Sequence, residues 1–216
     1  MDDVDALDRL YRTVYRAART GEVDCTDAFD LAASVLELEP ADPDATELAT
    51  LSLDCADVSR PRMAGLALAL LAGIGFQPCF TEEPERLARL EDAMRLVNQD
   101  VAATGLPDRC RLRVDDHDWP GLTRHAHAET WDGHRGTGGG ISPASGADPV
   151  SALVAVAEDV QDAVMHAIWS AWPVCPVHEL GVHARSHDGA AVWWCGGAGG
   201  HAVAAIGVWR SATVLP

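Results

Sequence analysis

The chain has 216 residues, 48% of them hydrophobic and 23% charged, which is ordinary for a globular protein. Its 33 acidic residues outnumber 16 basic ones, all of them arginine, so the net charge is -17. A field this negative repels phosphate backbones and anionic lipids, so the sequence predicts a protein that binds neither nucleic acid nor membranes. The same field would attract a basic protein partner.

The N-terminal residues and the cysteines predict a cytoplasmic protein. Residues 1–19 are acidic and amphipathic, whereas an export signal begins basic and continues apolar. Six cysteines in such a chain predict reduced thiols or metal ligands in preference to disulfides. Cys25, Cys55 and Cys79 lie in or beside apolar helical faces, and we interpret them as small core residues.

Residues 1–107 predict an α-helical bundle. Apolar residues recur at intervals of three and four through five segments, and each segment is bounded by a capping residue, a glycine or a proline. The fourth segment is apolar nearly all round and is expected in the middle of the bundle. The boundary signals are Gly21 after the first segment, Thr26 as the cap of the second, Asp42-Pro43 and Ser59 before the third and fourth, and Thr81 before the fifth.

Residues 108–147 predict a strand pair and a glycine-rich loop. CRLRV at 110–114 and HAHAETW at 125–131 alternate apolar and polar residues, as half-buried strands do. The stretch from 133 to 149 is rich in glycine, serine and proline, which predicts a loop.

Residues 148–216 predict one long helix followed by a small β module. Asp148-Pro149 begins an apolar pattern of helical period that continues until Trp172-Pro173. The predicted fold is therefore α+β and mainly α, with a helical bundle, a strand pair, a long helix and a C-terminal β-hairpin module.

Four candidate metal ligands lie in the C-terminal stretch VCPVHELGVHARSHDGAAVWWCGGAGGH. Cys175 and His178 are separated by two residues, a spacing that lets a tight turn point both side chains at one ion. Asp188-Gly189 lies between two alternating runs and is a strong hairpin signal. The hairpin would return Cys195 toward Cys175, and the glycines that follow would let His201 complete a closed Cys2His2 set.

This arrangement resembles a zinc ribbon, in which two ligand turns lie at the ends of a β-hairpin. The resemblance covers about forty residues and implies one structural zinc ion held for folding. The second ligand turn is atypical because five residues separate Cys195 from His201, so His183 and His187 stay open as alternative ligands.

Two further features bear on the role of this segment. Glu179 follows His178 directly, so on a strand its side chain would point to the opposite face, which argues against a catalytic zinc. A hairpin held by packing alone, without metal, also stays open, with a core of tryptophan and valine side chains: Val192, Trp193 and Trp194.

A second group of candidate ligands lies on the predicted strand at 125–131. His125, His127 and Glu129 would share one face, and two imidazoles with a carboxylate are the ligands of many non-haem metal sites. His134 and the glycine-rich loop could complete such a site. The alternative is a solvent-facing strand surface with an inward face of small residues: Ala126, Ala128 and Thr130.

These observations lead to three functional hypotheses. The first is a non-enzymatic, acidic protein-interaction module with a structural zinc site, acting as an adaptor or as a neutralising, immunity-type partner of a basic protein. The second is a metal-dependent enzyme that uses His125, His127 and Glu129. A nucleic-acid-binding zinc ribbon ranks last because of the charge. The sequence contains no phosphate-binding loop with a lysine and no nucleophile elbow.

Overall fold

The computed structural model describes residues 2–114 and 125–210, with side chains from residue 6 onwards. The fold of these parts is α+β and mainly α, as predicted. None of the helices within the described ranges combines the length and the apolar character that crossing a bilayer requires. A further acidic and histidine-containing stretch of the sequence, which would most often form a solvated turn, lies outside the described residues: Asp115, Asp116, His117 and Asp118.

The described residues form two compact units, 2–82 and 83–114 with 125–210. The first unit contains the first four predicted helices, and the second contains the fifth helix, the long helix and the strands. The predicted three-part division stays a prediction about which segments fold on their own: 1–107, 108–147 and 148–216.

Four helices and a 3-10 turn build the first unit. They are α1 (Asp2–Thr20), α2 (Cys25–Leu38), α3 (Pro43–Asp54), a 3-10 turn (Asp57–Ser59) and α4 (Arg60–Gly73). Helix α4 packs against the other three helices, as expected for a segment that is apolar nearly all round. Large side chains from all four helices are fully buried in the shared core: Val14, Leu31, Leu48 and Met63.

Aspartates begin α2 and α3. Asp42 accepts a hydrogen bond from the amide of Ala45 at 2.7 Å, as the predicted cap of α3. The prediction of Thr26 as the cap of α2 is wrong, because Asp24 occupies that position and accepts hydrogen bonds from the amides of Thr26 and Asp27 at 2.8 and 3.3 Å. Both residue types are good caps, so the sequence alone did not separate them.

The prediction that all six cysteines are reduced or metal-bound is wrong for two of them. Cys25 and Cys55 form a disulfide, with their Cα atoms 5.8 Å apart. Helices α2 and α3 form an antiparallel hairpin, so the first residue of α2 lies beside the residue that caps the C-terminus of α3. Cys79 is a buried free thiol, in agreement with its interpretation as a small core residue.

The second unit begins with α5 (Pro84–Ala103), which packs against α6 (Pro149–Ile168). Between these helices in sequence lie β1 (Arg111–Val114) and β2 (Ala126–Glu129), which pair antiparallel. A short 3-10 turn (Pro143–Gly146) precedes α6. Helix α6 ends earlier than predicted, because the residue after Ile168 adopts a left-handed conformation with φ of 53°.

The C-terminal sheet has three antiparallel strands in the order β3, β4, β5. They are β3 (Val182–His187), β4 (Ala190–Cys195) and β5 (His201–Ala205). The predicted hairpin turn is present, since Asp188 and Gly189 connect β3 to β4 with φ values of 50° and 76°. The third strand pairs with β4 and extends the predicted hairpin into a sheet.

Two buried polar side chains fasten this sheet to the helices of its unit. Asp100 of α5 is fully buried and accepts hydrogen bonds from the Trp193 indole at 2.8 Å and from the amides of Gly207 and Trp209, each at 2.7 Å. Gln161 of α6 donates to the carbonyl of Trp172 at 2.8 Å and also to a carbonyl of β3. The sheet therefore shares a core with α5 and α6.

Candidate metal centre

Cys175 and His178 lie in a tight turn before β3. The turn is closed by hydrogen bonds from the Cys175 amide to the Leu180 carbonyl at 2.8 Å and from the Glu179 amide to the Cys175 carbonyl at 2.9 Å. A further bond joins the Val182 amide to the Pro173 carbonyl at 3.0 Å. The two-residue spacing therefore forms a closed turn that directs both side chains to one side, as the sequence predicts.

Cys195 and His201 lie on either side of the turn that joins β4 to β5. They are the last residue of β4 and the first residue of β5, and they are register partners in the sheet. The amide of Gly197 donates to the Cys195 sulfur at 3.4 Å, and the amide of Gly200 donates to the Gly197 carbonyl at 2.8 Å. The five-residue spacing is thus a compact strand connection that presents a thiol and an imidazole together.

The structure brings all four predicted ligands together. One ligand atom from each of the four residues lies within 4.8 Å of the others. Both cysteines are fully buried and both imidazoles are half-buried. Within residues 2–114 and 125–210, no other group of three or more His, Cys, Asp or Glu side chains lies closely enough together to hold a metal ion.

The distances within the group suit a tetrahedral ion. A zinc ion bound at about 2.3 Å from sulfur and about 2.0–2.1 Å from nitrogen would hold a sulfur and a nitrogen roughly 3.6 Å apart. Nδ1 of His178 lies 3.4 Å from the Cys195 sulfur and 3.8 Å from the Cys175 sulfur, and Nε2 of His201 lies 3.6 Å from the Cys175 sulfur. Two thiols and two imidazoles at these separations are compatible with a metal site.

Hydrogen bonds favour the thiolate form of Cys175, which is the form that binds metals. Burial raises the pKa of this thiol, but donation from the amides of His178 and Val177 and from the Cys195 side chain outweighs it, so the pKa is lowered overall. The tight turn thus supplies both a ligand and donors that stabilise its charge.

Gly197 allows the His178 imidazole to reach the cluster. A Cβ atom at this position would lie 2.7 Å from both Cγ and Nδ1 of His178, which is too close for any real side chain. From the sequence, the glycines after Cys195 are expected only to let the chain reverse. The steric role of Gly197 was not predictable, because the side chain that it accommodates lies in a different turn.

Neither alternative histidine reaches the cluster. His183 is exposed on β3. The ring of His187 lies 4.7 Å from the ring of Trp194 and its Nε2 lies 3.4 Å from the Asp188 carboxylate. The sequence pattern predicts Glu179 on a strand, with its side chain on the face opposite His178. This placement is wrong, because Glu179 is an exposed residue of the ligand turn with φ of 55°.

Packing also holds the sheet, as the alternative interpretation supposes. Trp193 is fully buried and makes an edge-to-face contact with Trp172 at 5.6 Å. On the other face, Arg185 lies 4.6 Å from the ring of Trp194. The sheet therefore has both a packed tryptophan core and the Cys/His cluster, and the packing does not exclude metal binding.

The structure does not assemble the predicted site of His125, His127 and Glu129. Burial raises the pKa of the Glu129 carboxyl, but its ion pairs with Arg113 at 3.3 Å and with Arg135 at 3.4 Å together outweigh this effect, so the pKa is lowered overall. Nδ1 of His125 lies 2.7 Å from the carbonyl of a glycine in the adjoining loop, and His127 is buried. The small residues predicted to face inward are buried: Ala126, Ala128 and Thr130.

The glycine-rich loop after β2 is fastened to α6. The Asp162 carboxylate accepts hydrogen bonds from the amide and hydroxyl of Thr137, the latter at 3.1 Å, and from the amide of Gly138 at 3.3 Å. His134, considered as a further ligand, pairs with the Asp132 carboxylate at 2.9 Å, and its ring centre lies 5.2 Å from that of His166.

Comparison with known proteins gives no family for this chain, since no family model, no curated protein and no solved structure matches it.

Proposed function

We propose that Cys175, His178, Cys195 and His201 bind one zinc ion with a structural role, as in a zinc ribbon. The observation that carries this proposal is the convergence of four protein ligands at tetrahedral spacing. A catalytic zinc keeps one position for water or substrate, whereas four protein ligands close the coordination sphere. The ion would join the turn before β3 to the turn between β4 and β5.

We further propose that the protein is a non-enzymatic binding module for a basic protein. The net charge of -17 supports attraction to a cationic surface. The first ligand turn also presents apolar side chains to solvent, with Val177 74% exposed and Leu180 50% exposed, beside the exposed Glu179. Exposed apolar side chains on a chain of net negative charge suit a partner that offers apolar contacts surrounded by arginine or lysine. Neutralisation of a cationic toxin is one concrete version.

Elemental analysis of the full-length protein, purified without chelator, tests the metal proposal. We expect one zinc ion per chain in the wild type and none in Cys175→Ser/Cys195→Ser. Cys79→Ser/Cys110→Ser is the matched control, because it also removes two buried free thiols but leaves the cluster intact. A wild type without metal would overturn the proposal.

Salt-dependent affinity capture tests the binding proposal. The immobilised protein should retain a basic partner from its own cells at low salt and release it at high salt. Val177→Ser should weaken this capture without loss of zinc, whereas Leu53→Ser, at an exposed leucine 76% accessible in the first unit, should not. Retention that is insensitive to salt and to both substitutions would contradict the proposal.

The metal-dependent enzyme of His125, His127 and Glu129 stays an alternative prediction. It requires a second metal ion per chain, which survives Cys175→Ser/Cys195→Ser and disappears in His125→Ala/His127→Ala. The same elemental analysis therefore separates the two hypotheses.

A further inference from the structure

The two halves of the Cys25–Cys55 disulfide differ in accessibility. Cys55 is exposed at the C-terminal end of α3. Cys25 is only partly exposed and packs against the buried core of the first unit. A disulfide is broken when a thiolate approaches one sulfur and expels the other, so access decides which sulfur is attacked. The greater exposure of residue 55 therefore points to Cys55 as the side of the bond that an external thiol approaches.

The helix positions of the two cysteines favour opening of this bond in the same direction. Cys55 lies at the C-terminal end of α3, where the partial negative charge of the helix end disfavours a departing thiolate. Cys25 is the first residue of α2, where the partial positive charge of the helix end stabilises a departing thiolate. Attack at Cys55 with departure of Cys25 therefore combines the open approach with the better leaving group.

The surroundings of the disulfide favour a thiol without additional negative charge. Phe29, one helical turn after Cys25, is 40% exposed, and Leu53 and Val58 are 76% and 88% exposed. Asp24 directly precedes Cys25, and further aspartates precede and follow Cys55 in the sequence. Every attacking thiolate carries one negative charge, so these neighbouring apolar and acidic residues would repel most strongly a thiol that carries a further negative charge.

We propose that the Cys25–Cys55 disulfide is a thiol–disulfide exchange site that an external, uncharged thiol opens by attack at Cys55. The thiolate of the external compound forms a bond with the Cys55 sulfur, the bond between Cys55 and Cys25 breaks, and Cys25 leaves as a thiolate. A second external thiolate then attacks the mixed disulfide, which releases Cys55 as a thiolate and the external compound as its disulfide. Two electrons pass from the two external thiols to the protein. This inference is independent of the proposed zinc site and binding function.

The direction of attack is measurable on the wild-type, full-length protein. The protein is exposed briefly to 2-mercaptoethanol, quenched with acid, alkylated with N-ethylmaleimide and mapped by peptide mass spectrometry. We expect the mercaptoethanol adduct on Cys55 and the maleimide on Cys25 at early times. An adduct that falls mainly on Cys25, or two free thiols before any reductant is added, would overturn the proposal.

The rate of opening tests accessibility separately. Reduction of the native protein should be within about tenfold of reduction in urea, because an exposed disulfide gains little from unfolding. A native rate about a thousandfold or more below the unfolded rate would show a protected, structural bond.

Two thiols of similar size, one neutral and one anionic, test the proposed selectivity for a thiol without additional charge. 2-Mercaptoethanol should open the bond faster per thiolate than 2-mercaptoethanesulfonate at low salt, and high salt should reduce the difference. Equal rates at low salt would contradict the proposed preference.

Single variants test the accessibility of the two positions. The free thiol at position 55 in Cys25→Ser should react with 4,4'-dithiodipyridine at least about tenfold faster than the thiol at position 25 in Cys55→Ser.

Discussion

Gly197 leaves the space that the His178 imidazole fills, so a side chain at this position is expected to disturb the cluster without removing a candidate ligand. Gly197→Ala would place a methyl group 2.7 Å from the ring and push the imidazole away from the sulfurs. We expect zinc affinity to fall roughly 10–100-fold, the usual effect of disturbing the groups that orient a metal ligand. Competition with a chromophoric chelator measures the affinity.

Gly196→Ala is the matched control for this substitution. A Cβ atom at position 196 meets nothing within 4 Å, so the affinity should stay close to that of the wild type. Equal losses in both variants would mean that the chain between Cys195 and His201 responds to any added side chain, and that the contact with His178 is not the cause.

Asp100 is the second residue on which the C-terminal sheet depends. Asp100→Ala leaves three inward-pointing N–H groups without their acceptor, at a cost of about 1–3 kcal/mol for each donor that stays unpaired. We expect a loss of about 3–5 kcal/mol in the free energy of unfolding, measured by urea denaturation with tryptophan fluorescence. Asp92→Ala, at an exposed position of the same helix, should change it by less than about 0.5 kcal/mol.

The candidate metal ligands and Asp100 differ in how far the sequence predicts their role. The pair Cys175 and His178 was predictable because a turn of known spacing positions both ligands locally. Asp100 was not, since its donors lie 93 to 109 residues away along the chain. An aspartate on a predicted helix gives no sign that folding will bury it.

At the scale of elements, the hairpin of α2 and α3 is closed twice, by its connecting turn and by the disulfide at the opposite end. Cys25→Ser/Cys55→Ser should lower the free energy of unfolding by about 2–4 kcal/mol, the typical effect of releasing a loop of this size. Urea unfolding followed by circular dichroism measures the loss. Dithiothreitol should destabilise the wild type and leave the double variant unchanged; destabilisation of both by reductant would assign the effect to other thiols.

Elements with strong local signals were predictable, whereas their long-range partnerships were not. The turn at Asp188 and Gly189 formed where the sequence indicated, because few residue pairs tolerate two consecutive positive φ values. The disulfide was missed because 30 residues separate its cysteines and because the compartment argument favoured free thiols. The pairing of β5 with β4 depends on a glycine-rich connection whose path only the folded unit defines.

At the scale of the whole molecule, the proposed zinc would stabilise one unit and leave the other unaffected. Chelation should increase hydrogen exchange in peptides from β3, β4 and β5, because the free energy of metal binding contributes to the folding of the turns that hold the ligands. Peptides from residues 2–82 should exchange as before. In Cys175→Ser/Cys195→Ser the same strands should exchange rapidly from the start and show no response to chelator. An equal increase in exchange in both units after chelation would contradict the prediction that zinc stabilises only the second unit.

The six cysteines of this chain fall into three pairs, and this matters for how the protein acquires its covalent structure. Two form a bond in the first unit, two more lie in the cluster of the second unit that could hold a metal ion, and Cys79 and Cys110 are buried free thiols. During oxidation of a newly made chain, any two of the six thiols could join wrongly. A zinc ion that occupies Cys175 and Cys195 early would act as a protecting group, so that metal supply would govern the yield of correctly oxidised protein.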